Sequence, residues 1–196
     1  MPKLGMEPIR RDAFIAATIA EIGQAGSLDV TVGQIARRAG MSSGLAHHYF
    51  GSKDQMFLAA MRHVLTLYGA EMRSALRGAD SPRARLHALV RVSFTGSNFR
   101  REVVAAWLNF YVMAQRHDDA ARLLRIYQAR IRANLRHALR QCGSAQAEAL
   151  AEGAAAMIDG AYLYEALGTG QPDGDRATAQ VLGWIEAALP EKDNTA

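Results

Sequence analysis

Apolar positions along the chain recur at helical intervals, and no segment sustains the two-residue alternation of a half-buried strand. Ile15, Ile19 and Ile22 stand at i, i+4 and i+7 and predict a first helix over about 8–24, closed by Gly23 and Gly26. Thr31, with Gln34 three residues on, has the form of a capping box and opens a short helix ending near Gly40. Ser42 caps a third helix through Tyr49. Ser52 and Gln55 repeat the capping-box form and start a long helix to about Arg77, stopped by Gly78. Ser81 and Pro82 read as N-cap and first helical residue of the next element, which Gly96-Ser97-Asn98 interrupts. Further helices are expected from about Arg101 to Arg116, from a cap at Asp118 to Gln141, and from a cap at Ser144 to Leu167. Gly168–Gly174 reads as a turn, and a last helix runs from Asp175 to Leu189 before Pro190. The pattern predicts an all-α chain of about nine helices with a division near residue 50: an N-terminal three-helix domain over 1–52 and a helical body over 53–196.

Composition narrows the class. A length of 196 residues suits one domain or two small ones, and 49% apolar with 21% charged residues is ordinary for a globular protein. No run of eighteen apolar residues occurs and the opening has no apolar stretch, so neither a membrane span nor a secretory signal is expected. The lone cysteine, Cys142, fits a reducing cytosol, and the expected location is cytoplasmic. The net charge of +4 hides an asymmetry. Residues 1–54 are nearly balanced, 55–141 carry fifteen basic against five acidic side chains, and 142–196 carry two against nine. Many of the central arginines, such as Arg122, Arg125, Arg132, Arg136 and Arg140, fall at helical spacing and read first as a solvated helix face. Val30–Lys53 differs in holding three basic residues and no acid.

That stretch contains what two short, steeply crossed helices need. Ala36 supplies a small side chain at the crossing, Gly40 a residue tolerant of left-handed backbone, and Leu45 or Ala46 an apolar return to the contact. Ile35, Ala39 and Met41 complete a small core. This is the helix-turn-helix pattern, whose second helix enters the DNA major groove.

The residues Thr31, Gln34-Ile35-Ala36, Ala39-Gly40, Ser42, Gly44, Tyr49-Phe50 and Lys53 resemble the signature of the TetR family of bacterial one-component regulators. The resemblance implies a homodimer, a DNA-binding head and a larger body that dimerises and binds an effector. It implies DNA binding by Thr31, Ser42, Ser43, Leu45, His47, His48, Tyr49 and Lys53, with Thr31, Tyr49 and Lys53 on phosphates and Ser43, Leu45, His47 and His48 on the base edges of a near-palindromic, double-stranded operator. One position departs from the pattern: His47 stands where the family usually carries an aromatic phosphate-contacting residue. Within the family the chain is most similar to choline-responsive repressors. Met1–Met6, Arg10-Arg11, His48-Tyr49-Phe50, Ala106-Trp107-Leu108 with Phe110, and Ile158-Asp159-Gly160 carry that similarity, while Tyr164 stands where an arginine is usual.

In the body, Val103, Trp107, Phe110 and Ala114 form an apolar stripe with Tyr111 beside it. Such a stripe is either packed core or an aromatic wall for a small organic cation, whose quaternary ammonium group is held by ring faces. The resemblance, rather than the spacing, favours the wall. Asp159, Tyr162 and Glu165 step by three along an apolar segment. The two carboxylates either pair with central arginines or balance the charge of a choline-like ligand, whose ammonium group Trp107, Phe110, Tyr111 and Tyr162 would box. Nine alanines within 145–166 suit a flat helix–helix dimer interface, with Leu150, Met157 and Trp184 as apolar residues awaiting cover.

Enzyme motifs are missing. Gly168-Thr169-Gly170 with Gly174 has the wrong spacing for a dinucleotide loop, the histidines lack ligand spacing, and no nucleophile motif occurs. No catalytic residue, metal or cofactor is expected. Two rivals remain beside the choline-released repressor: a regulator of multidrug efflux with a broad cation pocket, and a small-molecule-binding enzyme or carrier whose head merely packs.

Overall fold

The computed structural model describes residues 6–190, so the Met1–Gly5 part of the resemblance lies outside the described residues. The described residues form α1 (Met6–Ala25), α2 (Val32–Arg38), α3 (Ser43–Phe50), α4 (Lys53–Arg77), α5 (Pro82–Ser93), α6 (Arg101–Ala114), α7 (Asp118–Gln141), α8 (Ala147–Leu167) and α9 (Gly174–Ala187). Among them there is no strand. Two compact units result: residues through Thr66 with Arg101–Leu123, and Leu67–Arg100 with the residues from Leu124 onward.

In the first unit α1 packs against α2 and α6, and α2 against α3. Phe14, Ile15, Ile19 and Ile22 of α1 are all buried, each worth roughly 1.5–3 kcal/mol relative to exposure. Thr18, buried among them, satisfies its hydroxyl on the Phe14 carbonyl at 2.7 Å. The reciprocal capping box at Thr31 and Gln34 is formed, with Gln34 N–H donating to Thr31 Oγ1 at 3.1 Å. α2 ends as the sequence requires. Gly40 takes φ +69°, and the Met41 and Gly40 amides return to the carbonyls of Ala36 and Arg37 at 2.9 and 3.1 Å. Arg38 ties α2 to α1 through Glu21 and, at 2.5 Å, Gln24 Oε1.

The approach of α1 to α6 depends on a glycine. A Cβ placed on Gly23 would lie 2.6 Å from the Glu102 Cα, so no other residue permits this spacing. Asn109 of α6 then donates its amide to the Gly26 carbonyl at 3.3 Å, just beyond the end of α1. In the same unit Phe57 of α4 meets Phe110 edge to face, centroids 6.4 Å apart.

In the second unit α9 packs against both α5 and α8. Ser81 caps α5, accepting from the Ala84 amide at 3.1 Å, with Pro82 in its first turn. Glu186 of α9 binds Arg83 and, at 2.7 Å, His87 Nε2. Three helix starts in the body differ from the sequence reading. α8 begins at Ala147, because Ser144 finishes α7: its amide bonds the Leu139 carbonyl at 3.1 Å across Gly143 at φ +80°. Asp118 is the first residue of α7, while the residue before it, His117, accepts the Ala121 amide at 2.9 Å. α9 starts at Gly174, capped by Asp173, and a Cβ there would sit 2.2 Å from the Phe94 carbonyl oxygen.

Leu150, expected to await cover, is buried within the chain. Trp184 lies over Gly153, where a Cβ would come within 2.5 Å of the indole, and remains 40% exposed. Leu163, Tyr164 and Leu167 of α8 are also exposed, the last two by more than 70%.

Candidate DNA interface and effector site

Ser42 accepts the Leu45 amide at 3.2 Å and starts α3, whose Ala46 and Phe50 turn inward. Period 3.6 then leaves Ser43, His47 and His48 exposed, with Leu45 half-buried between them. The His47 Nδ1 lies 3.0 Å from the Gly51 carbonyl oxygen. Only a protonated Nδ1 can donate there, so the neutral ring keeps Nε2 as an acceptor. Gly51 holds φ +75° and ends the helix.

Tyr49 sits at the rim. Its ring meets His48 at 5.4 Å and Phe14 at 6.2 Å. Arg11 of α1, which the sequence offers only as part of a resemblance, fastens this end of α3. Its guanidinium donates to the Tyr49 carbonyl at 2.8 Å and lies 4.7 Å from the Phe50 ring centroid. The Lys53 ammonium donates to the Leu28 carbonyl at 2.9 Å, and Thr31 uses its hydroxyl oxygen as the α2 cap. The head residues named from the sequence therefore fall within α3 and the starts of α2 and α4.

The six expected effector residues fall three in each unit. In the first, Trp107 is buried, with Phe110 at 5.8 Å and Tyr111 at 5.8 Å, and Phe110 is fully enclosed. In the second, Tyr162 is buried against Phe99, centroids 4.9 Å apart, and Phe94 at 6.2 Å. Its hydroxyl donates to the carbonyls of Ser93 and Asn98 at 2.6 and 3.2 Å. Glu165 binds Arg176 and accepts the Asp173 amide at 3.2 Å. Its arginine partner thus comes from α9 rather than from the basic middle of the chain. Asp159 is half-buried, one turn before Tyr162.

Two aromatic residues of this unit escaped the sequence reading. Tyr68 of α4 meets Tyr127 of α7 edge to face, centroids 5.9 Å apart and planes at 69°. The Tyr68 hydroxyl lies 3.1 Å from Ser93 Oγ, on the residue whose carbonyl takes the Tyr162 hydroxyl. Burial, with a contribution from the Asp159 charge, pushes the Tyr68 phenol up to about 12. Burial also holds the Tyr162 phenol well above its ordinary value, helped by Tyr68, Asp159 and Glu71. Glu71, one turn after Tyr68, accepts from Ser97 Oγ and, at 2.5 Å, from the Asn98 amide. Among the described residues, no cluster of His, Cys, Asp and Glu is arranged to hold a metal, and no helix is long and apolar enough to cross a membrane.

Residues 14–60 match the bacterial regulatory proteins of the tetR family, and residues 82–190 match the BetI-type transcriptional repressor C-terminal domain. The HTH-type transcriptional regulator BetI of Brucella melitensis biotype 2 is 52% identical over 190 residues, 96% of each chain. That of Rhizobium meliloti is 46% identical over 96% of this chain and 94% of its own. A putative transcriptional regulator from Saccharomonospora viridis, solved in complex with choline, superposes with a TM-score of 0.84. It covers 95% of this chain and 100% of its own at 21% identity, a likeness of fold. A regulator from Pseudomonas aeruginosa PAO1 gives 0.72 at 27% identity, covering 94% and 92%.

Proposed function

The chain belongs to the TetR family with a BetI-type C-terminal domain and is a DNA-binding transcriptional repressor; from that premise we propose that it is a homodimer released from a near-palindromic operator by choline. The observation that carries this reading is the 52% identity to BetI regulators over almost the whole chain, effector-binding half included. The choline bound by the S. viridis regulator of the same fold supports it. The relatives are regulators, which disfavours the enzyme or carrier alternative.

The head supplies both kinds of DNA contact. Thr31, Tyr49 and Lys53 bind phosphates in this reading, and such contacts give affinity and salt dependence. Ser43, Leu45, His47 and His48 project from α3 toward base edges, which give sequence choice. A neutral His47 offers Nε2 as an acceptor, suited to the amino groups of adenine or cytosine. The dimer forms through α8 and α9, where Leu163, Tyr164, Leu167 and Trp184 expose apolar surface that a second copy covers. The candidate ligand-binding residues are Trp107, Phe110 and Tyr111 in the first unit, and Asp159, Tyr162 and Glu165 in the second.

Choline shifts the balance between DNA-competent and released arrangements only by its difference in affinity for them. Couplings of about 1–3 kcal/mol correspond to a roughly 5- to 150-fold fall in operator affinity at saturation. The test is an anisotropy titration of labelled DNA from upstream of the gene, with and without millimolar choline. Release by choline, lost in Trp107→Ala while ligand-free binding persists, is the expected result. Operator affinity indifferent to choline and betaine aldehyde refutes the effector.

A further inference from the structure

We propose that His47 is a specificity-determining residue that excludes guanine and thymine and selects an amino-bearing base, adenine or cytosine, at one position of each half-site, and that the backbone turn at Gly51 fixes this choice. It rests on the reading of α3 as the helix that meets base edges, and adds the element that sets the polarity of one contact.

His47 and Gly51 exchange two hydrogen bonds. The Gly51 amide donates to the His47 carbonyl at 2.8 Å, and His47 Nδ1 donates to the Gly51 carbonyl at 3.0 Å. The second bond depends on an unusual turn. Gly51 takes φ +75° and ψ −62°, and the Ser52 amide reaches back to the Phe50 carbonyl at 2.9 Å, the three-residue pattern of a rare, strained γ-turn. A Cβ on Gly51 would meet nothing within 4 Å, so the backbone conformation, not space, calls for glycine. That conformation turns the Gly51 carbonyl toward the imidazole.

A carbonyl only accepts, so the single proton of the neutral ring is on Nδ1, and Nε2 presents a lone pair. Such a ring has no donor left for a phosphate. It also opposes guanine, which shows N7 and O6 in the major groove, and thymine, which shows O4, whereas adenine N6 and cytosine N4 donate. His47 is exposed and lies one turn after exposed Ser43. Gly44 falls between His47 and His48 around the helix, where a Cβ would meet only Ser42 Oγ, at 3.9 Å. Packing does not require glycine there, and the missing side chain lets a base edge come close beside the two imidazoles.

The experiment selects binding sites from a randomised double-stranded pool at about pH 8, where free imidazole is neutral. It uses the full-length natural chain, His47→Ala, His47→Lys, Ser43→Ala and Gly51→Ala, each checked for its melting temperature. The natural chain is expected to enrich adenine or cytosine at a position where His47→Ala enriches no base. His47→Lys, a donor only, is expected to enrich guanine there, and Gly51→Ala to blur selection at that position alone. Replacing the selected base by its analogue without the exocyclic amino group should weaken the natural chain about 2- to 10-fold per half-site, and His47→Ala by less than about twofold. The analogue that has this effect, of adenine or of cytosine, tells the two bases apart. Nitrogen NMR of the labelled free protein is expected to find the His47 proton on Nδ1. Guanine or thymine at the position that His47 controls, a uniform loss on all sequences in His47→Ala, or a neutral ring protonated at Nε2 overturns the assignment; selection unchanged in Gly51→Ala overturns the part of the turn. Selection altered by Ser43→Ala but not by His47→Ala excludes His47 and leaves α3 as the reading helix. Selection altered by neither overturns that reading as well.

Discussion

Two identical substitutions inside helices are expected to act with opposite sign. Replacing glycine by alanine in a helix interior gains about 1 kcal/mol where space is open, because the backbone loses less freedom on folding. Gly69 of α4 meets that condition: a Cβ there finds only the flexible Arg73 guanidinium, at 3.4 Å. At Gly23 the new methyl meets the Glu102 Cβ at 2.5 Å and Cα at 2.6 Å. Separations near 3.4–4 Å are ordinary, so α1 and α6 must part by about an ångström, at the overpacking cost of roughly 1–3 kcal/mol. Gly23 lies two residues from the end of α1, where the propensity gain is smaller still. Gly23→Ala is therefore expected to lose about 1–2 kcal/mol and Gly69→Ala to gain up to about 1 kcal/mol. Urea unfolding at one fixed protein concentration measures both, the concentration mattering because association contributes to stability. Equal stability of Gly23→Ala and the natural chain would refute the close-packed α1–α6 contact.

Arg11→Met removes a charged hydrogen bond to the Tyr49 carbonyl and a cation over Phe50; operator affinity should fall about tenfold or more, with weak binding to random DNA nearly unchanged. Uniform loss on both DNAs would count against a role for Arg11 in orienting α3. Lys53→Ala should weaken binding to every sequence and flatten the log-log salt dependence by about one unit; an unchanged slope would remove Lys53 from the phosphate contacts. Because the folded Tyr68 phenol titrates near 12 rather than 10, its stabilising contribution is complete below pH 10 and is lost as pH rises toward 12. That loss amounts to about 2 kcal/mol, and Tyr68→Phe should show a shallower alkaline decline; identical declines would contradict the shift. Leu167→Glu, on the exposed face of α8, should convert dimer to monomer in light scattering at micromolar concentration.

Local chemistry made most of the fold legible. The caps at Thr31, Ser42 and Ser81 act within three residues, and the left-handed Gly40 follows from the short helix it ends. The start of α8 was hidden because Ser144 serves the preceding helix, a choice decided by the backbone of Gly143. The partner of Glu165 was hidden as well: Arg176 lies eleven residues on, across a turn, where no periodicity links them. The Tyr68–Tyr127 pair spans fifty-nine positions and leaves no trace in either helix pattern. Family resemblance located α6 and α8 as the helices to watch, but which ring meets which is a property of packing.

The contact of α6 with α1 bears on inheritance. A recombination that exchanged only the first fifty residues between two relatives would join an α1 to an α6 with which it had never been selected. Glu102 and Gly23 form one surface although seventy-nine positions separate them. Heads can therefore be traded only among relatives whose α6 presents the same low profile at that point, or together with α6 itself. The repertoire of operators open to this lineage is limited by a helix that need not touch DNA.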